Sequence, residues 1–226
     1  MLEEGADIID IGGYSTRPGS KEVSFYEEKD RVMSALKIIT ETFSDTVISL
    51  DTFRPEIANM AIQEYGIAII NDISGGNNEM YEVAAKNRTA YILMHIGDEI
   101  SKMHLTKIYD NIVEEEIKYF SEKLHAMRLK GVNDVIIDPG FGFSKSLDDY
   151  YNLLKNLDKL KITDCPILAG LSRKSMIQKV LNTDMNDSLN GTTIVNTIAV
   201  IKGADILRVH DVKQAKQVVE ICEKLS

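Results

Sequence analysis

The chain has 226 residues, 44% of them hydrophobic and 27% charged, a balance that excludes disorder and gives one domain, residues 1–226, enough apolar mass for a sizeable core. A formal charge of −9 speaks against non-specific binding to nucleic acid or to an anionic membrane, so any anion site must be local. Cys165 and Cys222 lie far apart without C-x-x-C spacing, which fits a reduced cytoplasmic chain better than a disulfide scaffold or a zinc site.

The opening "MLEEGADIID" has no basic n-region, and no later run reaches the roughly 18 uninterrupted apolar residues of a membrane span. A cytoplasmic protein with no membrane partner is expected. Strands are predicted over 6–12, 47–51, 68–73, 91–95, 135–139, 166–172 and 206–210, from short runs rich in β-branched residues that end in polar residues or glycine. Their near-continuous apolar character suits a parallel sheet covered on both faces. Between them come helical patterns such as "SFYEEKDRVMSALKIITETF", "PEIANMAIQEY", "IYDNIVEEEIKYFSEKLHAMRLKG" and "DDYYNLLKNLDKL". Pro55 sits near a helix start and Gly131 just past a helix end, the favoured places for both. This alternation predicts a parallel α/β architecture. Almost every strand ends in a chemically loaded residue, which favours a (β/α)8 TIM-type barrel over an open doubly wound sheet. Seven strands are legible where a barrel needs eight.

The loop "GGYSTRPGS" follows the first strand and offers Ser15, Thr16 and Arg17 as donors to an oxyanion or carboxylate. "SLDTFRPE", "INDISGG" and "IIDPGFGF" put Asp51, Asn71, Asp72 and Asp138 at strand ends. A strand-end aspartate is often only a cap, but several on one rim suit the adjacent N–H and NH2 of an aminopyrimidinone, and Asp138 is the chosen acceptor. "GLSRKS" lacks the second glycine of a nucleophile elbow and no Ser–His–acid set accompanies it, so a hydrolase is rejected. Lys174 in the first turn of a helix would oppose the dipole, which points to an anionic partner. Strand alternation puts Arg208 and His210 on one face as a diphosphate clamp. His104 and His125 are expected on the solvated surface, His95 has no assigned role, and "EEEIKYFSEK" is expected to be a solvated helix face.

Together "DIIDIGGYSTRPGS", "LDTFRPE", "INDISGG", "DPGFGFSK", "GLSRKS" and "RVHDV" resemble the dihydropteroate synthase family along essentially the whole chain. The resemblance implies a (β/α)8 barrel that condenses 6-hydroxymethyl-7,8-dihydropterin diphosphate with 4-aminobenzoate, releasing pyrophosphate, with Mg²⁺ assisting and sulfonamides competing. It implies that Asp51, Asn71, Asp138 and Lys174 hold the pterin, and that Met94 and Phe143 line the apolar pockets. Thr16, Arg17 and Ser172 fall on the aminobenzoate side, and Arg208 and His210 on the departing phosphates. Lys174, Arg208 and His210 are the residues expected to act in catalysis. A homodimer is among the states the family adopts. Tyr14 stands where Glu or Gln is usual, and the first strand and loop of the kind "LNVTPDSFSDGG", with its metal-associated asparagine, have no counterpart before Met1. No metal ligand is therefore assigned in this chain, and reduced activity is expected of it. The alternatives are a degenerate pterin-binding barrel and a pterin-dependent corrinoid methyltransferase.

Overall fold

The computed structural model describes residues 1–16 and 19–225; Arg17, a predicted site residue, lies outside them. Seven strands alternate with helices among these residues: β1 (Ile8–Gly12), α1 (Phe25–Thr42), β2 (Val47–Asp51), α2 (Pro55–Tyr65), β3 (Ile69–Asp72), α3 (Asn78–Asn87) and β4 (Ala90–Met94). They are followed by α4 (Ile112–Leu129), β5 (Val135–Asp138), α5 (Leu147–Lys155), β6 (Leu168–Ala169), α6 (Ser175–Leu181), α7 (Leu189–Ile201), β7 (Ile206–Leu207) and α8 (Val212–Cys222). The strand pairs described below are parallel, and the chain has the α/β alternation of the TIM-barrel class.

The residues divide into two compact units. One holds Asp7–Met94 and Lys123–Val135; the other holds Met1–Ala6, His95–Glu122 and the chain from Ile136 onward. In the first, β1, β2, β3 and β4 lie side by side in that order. Gly12 is in register with Asp51, and Asp51 with Asn71, so the strands finish level with one another. Its core is built where the helical period of α1 and α2 faces the β2 isoleucine and leucine: Val32, Leu36, Ile48, Leu50, Ile57 and Ala61 are all buried. Each helix has a defined start. The Ser24 hydroxyl accepts from Glu27 N at 3.2 Å to cap α1, and Pro55 opens α2, where its missing N–H costs nothing. Gly66 ends α2 at φ +66, a left-handed turn that suits glycine.

In the second unit, β6 and β7 pair through Leu168 with Ile206 and Ala169 with Leu207, and Ile137 bridges to Ile167. These strands are much shorter than predicted. The ladder ends at Arg208 N donating to Ala169 O, 3.0 Å, because the following residues turn out of the sheet so that Ser172 and His210 can meet. The helical pattern over 148–160 also stops early, at Lys155. Asn156 Nδ2 donates back to Asn152 O at 2.8 Å, a local bond that competes with the helical ladder, and a 3-10 segment, Leu157–Thr163, follows.

Candidate functional site

Two groups of strand-end residues carry chemistry, one in each unit. In the first, lateral register puts Asp51 and Asn71 on the same face of neighbouring strands. Asn71 is completely buried, and its Nδ2 donates to Asp10 Oδ2 at 2.9 Å, so Asp10 joins this group although the sequence reading passed over it. Its Oδ1 has no hydrogen-bond partner among the described residues. Gly12 admits the close approach, since a Cβ there would stand 3.1 Å from Asp51 Cβ. Met94 closes β4, completely buried. Thr16 is half-buried in the loop after β1.

Asp72, next to Asn71, goes another way. It is completely buried, with Ser74 N donating to Oδ1 at 2.8 Å and the Tyr91 hydroxyl donating to Oδ2. Burial pushes its carboxyl above the ordinary range, against the hydrogen bonds from Ser74 and Tyr91 and the attraction of Lys123.

The second unit gathers charge. Asp138 at the end of β5 is completely buried; its Oδ1 accepts from Gly140 N at 2.8 Å and its Oδ2 from Arg208 Nη2 at 2.8 Å. Each oxygen thus accepts one bond within the protein and keeps a further lone pair. Lys174 Nζ lies 4.8 Å from the centre of the buried Phe143 ring. Desolvation pushes the Lys174 amine down to about 8, the nearby Arg208 cation pushes the same way, and Asp138 opposes both. Lys174 is the extended N-cap of α6, φ −71 and ψ 152, and not in its first turn as the sequence suggested. Two glycines make this possible. A Cβ at Gly142 would stand 3.0 Å from Lys174 Nζ, and one at Gly170 would stand 2.9 Å from Arg208 Nη2.

Strand alternation does not place Arg208 and His210. β7 ends at Leu207, before Arg208 and His210, and the two make separate contacts. Arg208 is ion-paired to Asp138, whereas His210 Nδ1 sits 3.0 Å from Ser172 Oγ, with His210 N donating to the same oxygen at 3.2 Å. Arg173 supports this corner with a bidentate pair to Asp211, Nε and Nη2 each 2.9 Å from a carboxylate oxygen. His104, expected in solvent without partners, is exposed but stacks on Phe143, ring centres 6.1 Å apart.

Glu116 is a plainer correction. The run "EEEIKYFSEK" is no uniformly solvated face: Glu116 is completely buried, with Oε1 3.3 Å from His95 Nδ1 and 3.4 Å from Lys145 Nζ. Among the described residues no group of three His, Cys, Asp or Glu side chains is placed to hold a metal ion. No helix among them is long and apolar enough to cross a membrane.

Comparison with known proteins gives one answer. A family model described as "Pterin binding enzyme" matches residues 1–210. Dihydropteroate synthase of Escherichia coli K12 is 38% identical over 226 residues, covering 99% of this chain and 79% of the relative. The Yersinia pestis dihydropteroate synthase, solved as a sulfonamide drug complex, superposes with a TM-score of 0.93 at 36% identity, covering 99% of this chain and 81% of its own. The Thermus thermophilus enzyme, solved with 4-aminobenzoate, gives 0.92 at 32% identity over 100% of this chain and 86% of its own.

Proposed function

The chain belongs to the dihydropteroate synthase family of pterin-binding enzymes, and from that premise we propose how its residues carry the family's reaction. The substrates are 6-hydroxymethyl-7,8-dihydropterin diphosphate and 4-aminobenzoate. The amine nitrogen of 4-aminobenzoate forms a bond to the pterin CH2 carbon as the carbon–oxygen bond to the diphosphate breaks. The bonding pair leaves on pyrophosphate, and the amine proton passes to water. No residue need act as nucleophile. The protein's task is to hold the ring and to stabilise charge on the leaving group.

Asp138 and Lys174 take polar edges of the pterin, with Phe143 against the ring; Asp51, Asn71 and Met94, at the ends of β2, β3 and β4, match further pterin positions of the family. Arg208 and His210 take the phosphates, and Ser172 with Thr16 and Arg17 the aminobenzoate. The observation that carries the reading is the buried Asp138 carboxylate with Arg208 on one oxygen and Lys174 close by. The ion pair holds the guanidinium in a fixed place beside the enclosed acid, and cations so held suit an anionic tail. Mg²⁺ would supply further positive charge to the departing diphosphate, and no residue of this chain is assigned to hold it. Sulfonamides, one of which the Yersinia pestis relative holds, compete with 4-aminobenzoate.

The single-domain reading is retained, since the family match runs through both units. Cys165 and Cys222, far apart in sequence and without C-x-x-C spacing, support a cytoplasmic setting. For a homodimer, exposed Ile194, Ile198 and Ile201 give α7 an apolar stripe. The test of function is pyrophosphate release from the pterin diphosphate. It is expected to require 4-aminobenzoate and to match dihydropteroate formed; release without 4-aminobenzoate, or none with it, contradicts the proposal.

A further inference from the structure

Lys145 is buried, and its ammonium does more than neutralise Glu116. Its Nζ donates to Pro139 O at 2.8 Å and reaches Gly140 O at 3.4 Å, the first two carbonyls after Asp138. Gly140 is therefore held from both sides: its carbonyl lies against Lys145 and its amide donates to Asp138 Oδ1. The Asp138 carbonyl in turn accepts from His95 N at 2.8 Å, and the ring of the same His95 rests on Glu116. The turn has little stiffness of its own, since Gly140 sits at φ +67, where glycine is free to move.

We propose that Lys145, held in place by Glu116, is a positioning residue for Asp138, fixing the Pro139–Gly140 turn so that the carboxylate meets the pterin. This rests on the function proposed above. A buried amine is expensive to desolvate, and burial pushes the Lys145 amine below its ordinary range while Glu116 pulls it back up. Glu116 is desolvated as well, so the pair adds little net stability. A costly pair whose free donors all point at one turn is explained by what that turn carries. No atom of Lys145 or Glu116 need touch the substrate.

The test separates positioning from folding. Lys145→Met alone leaves Glu116 in the interior without its lysine partner and is expected to lower Tm by on the order of 10 °C. The double variant Lys145→Met with Glu116→Gln removes both charges and is expected to recover most of that loss. Affinity is measured with pterin-6-carboxylate, using its own fluorescence. The double variant is expected to bind it at least about 10-fold more weakly than the parent. KM for the pterin diphosphate rises in proportion, while kcat changes by less than about 3-fold, because ground state and transition state lose the same hold on the ring. If the double variant is folded and binds the pterin as the parent does, the positioning role is overturned and the pair is structural only. If the parent itself does not bind the pterin, the proposed function falls and takes this role with it.

Discussion

Asp72 and Asp138 end strands in different units, both are completely buried, and both accept a backbone N–H two residues on. Their remaining oxygens separate them. Asp72 takes the neutral Tyr91 hydroxyl, while Asp138 takes the Arg208 guanidinium and has Lys174 close by. The strand-end position supplies an acid, but the partner decides what the acid is for. Beside a neutral hydroxyl, burial favours the protonated acid and the residue closes a core; beside an ion-paired guanidinium, the acid belongs to a charged cluster that can serve a ligand.

The same substitution at both positions tests this contrast, and the larger effect is expected at Asp138. Asp138→Asn removes the charge that orients Arg208 and the proposed pterin acceptor at once. Charge-assisted bonds are worth about 1.5–3 kcal/mol each, so kcat/KM should fall by roughly 10²–10³-fold, measured by coupled pyrophosphate release. A fall below about 10-fold in a folded variant would put Asp138 among the structural acids.

Next in size is the pH dependence of Lys174. Its amine is pushed down to about 8, so its charge is lost on the alkaline side of neutrality. If the cation is the working form, log(kcat/KM) should decline with unit slope once pH rises past about 8, toward a tenfold loss per unit. Lys174→Arg carries a cation that does not titrate in this range. Whatever its absolute rate, its profile should stay flat through that region. An unchanged alkaline limb in the arginine variant would assign the titration to another group.

How much of this was legible beforehand follows from the range of the interactions. β2 was readable to the residue because "VISL" is a β-branched and apolar run ended by an acid, which is local information. β6 and β7 were overread because their ends are set by long-range contacts such as Ser172 with His210, which no local pattern encodes. Asp72 and Asp138 look alike in sequence, since the partners that separate them come from distant parts of the chain. Glu116 was legible and missed. Ile112, Val113, Phe120, Leu124 and Met127 form the buried stripe of α4, and Glu116 falls one turn from Ile112 and one from Phe120, inside it. Reading the acidic run as a block hid that period. Gly170 left no signal, because its need comes from the guanidinium of Arg208, distant in sequence.

Gly170→Ala probes the cation side of the contrast more gently. The backbone there tolerates alanine, but the new methyl would meet Arg208 Nη2 at 2.9 Å. The guanidinium is the flexible end of a long side chain, so it moves and the fold holds. A displaced Arg208 is expected to cost about 10-fold in kcat/KM with Tm within about 3 °C of the parent. Unchanged kinetics would mean that Arg208 works equally well away from Asp138.

The smallest effect is expected from Asp72→Asn. Asparagine keeps an acceptor oxygen, so one of the two bonds, from the Tyr91 hydroxyl or from Ser74 N, survives at the carboxylate's former place. It also mimics the neutral form that burial favours. The sign is set by the raised carboxyl: the group's contribution to stability is complete below the ordinary carboxyl range and is lost as pH rises through its elevated folded value. The variant lacks that loss. Urea unfolding should find it level with the parent or below it, by up to about 1 kcal/mol, at acid pH, where the carboxylic acid still has its proton to donate. The comparison should then turn in the variant's favour as pH rises. Turnover should change by less than about 3-fold, since Asp72 is assigned no contact with substrate. A loss as large as that of Asp138→Asn would show that both strand-end acids serve the ligand, and that neutral partners do not mark a structural carboxylate in this fold.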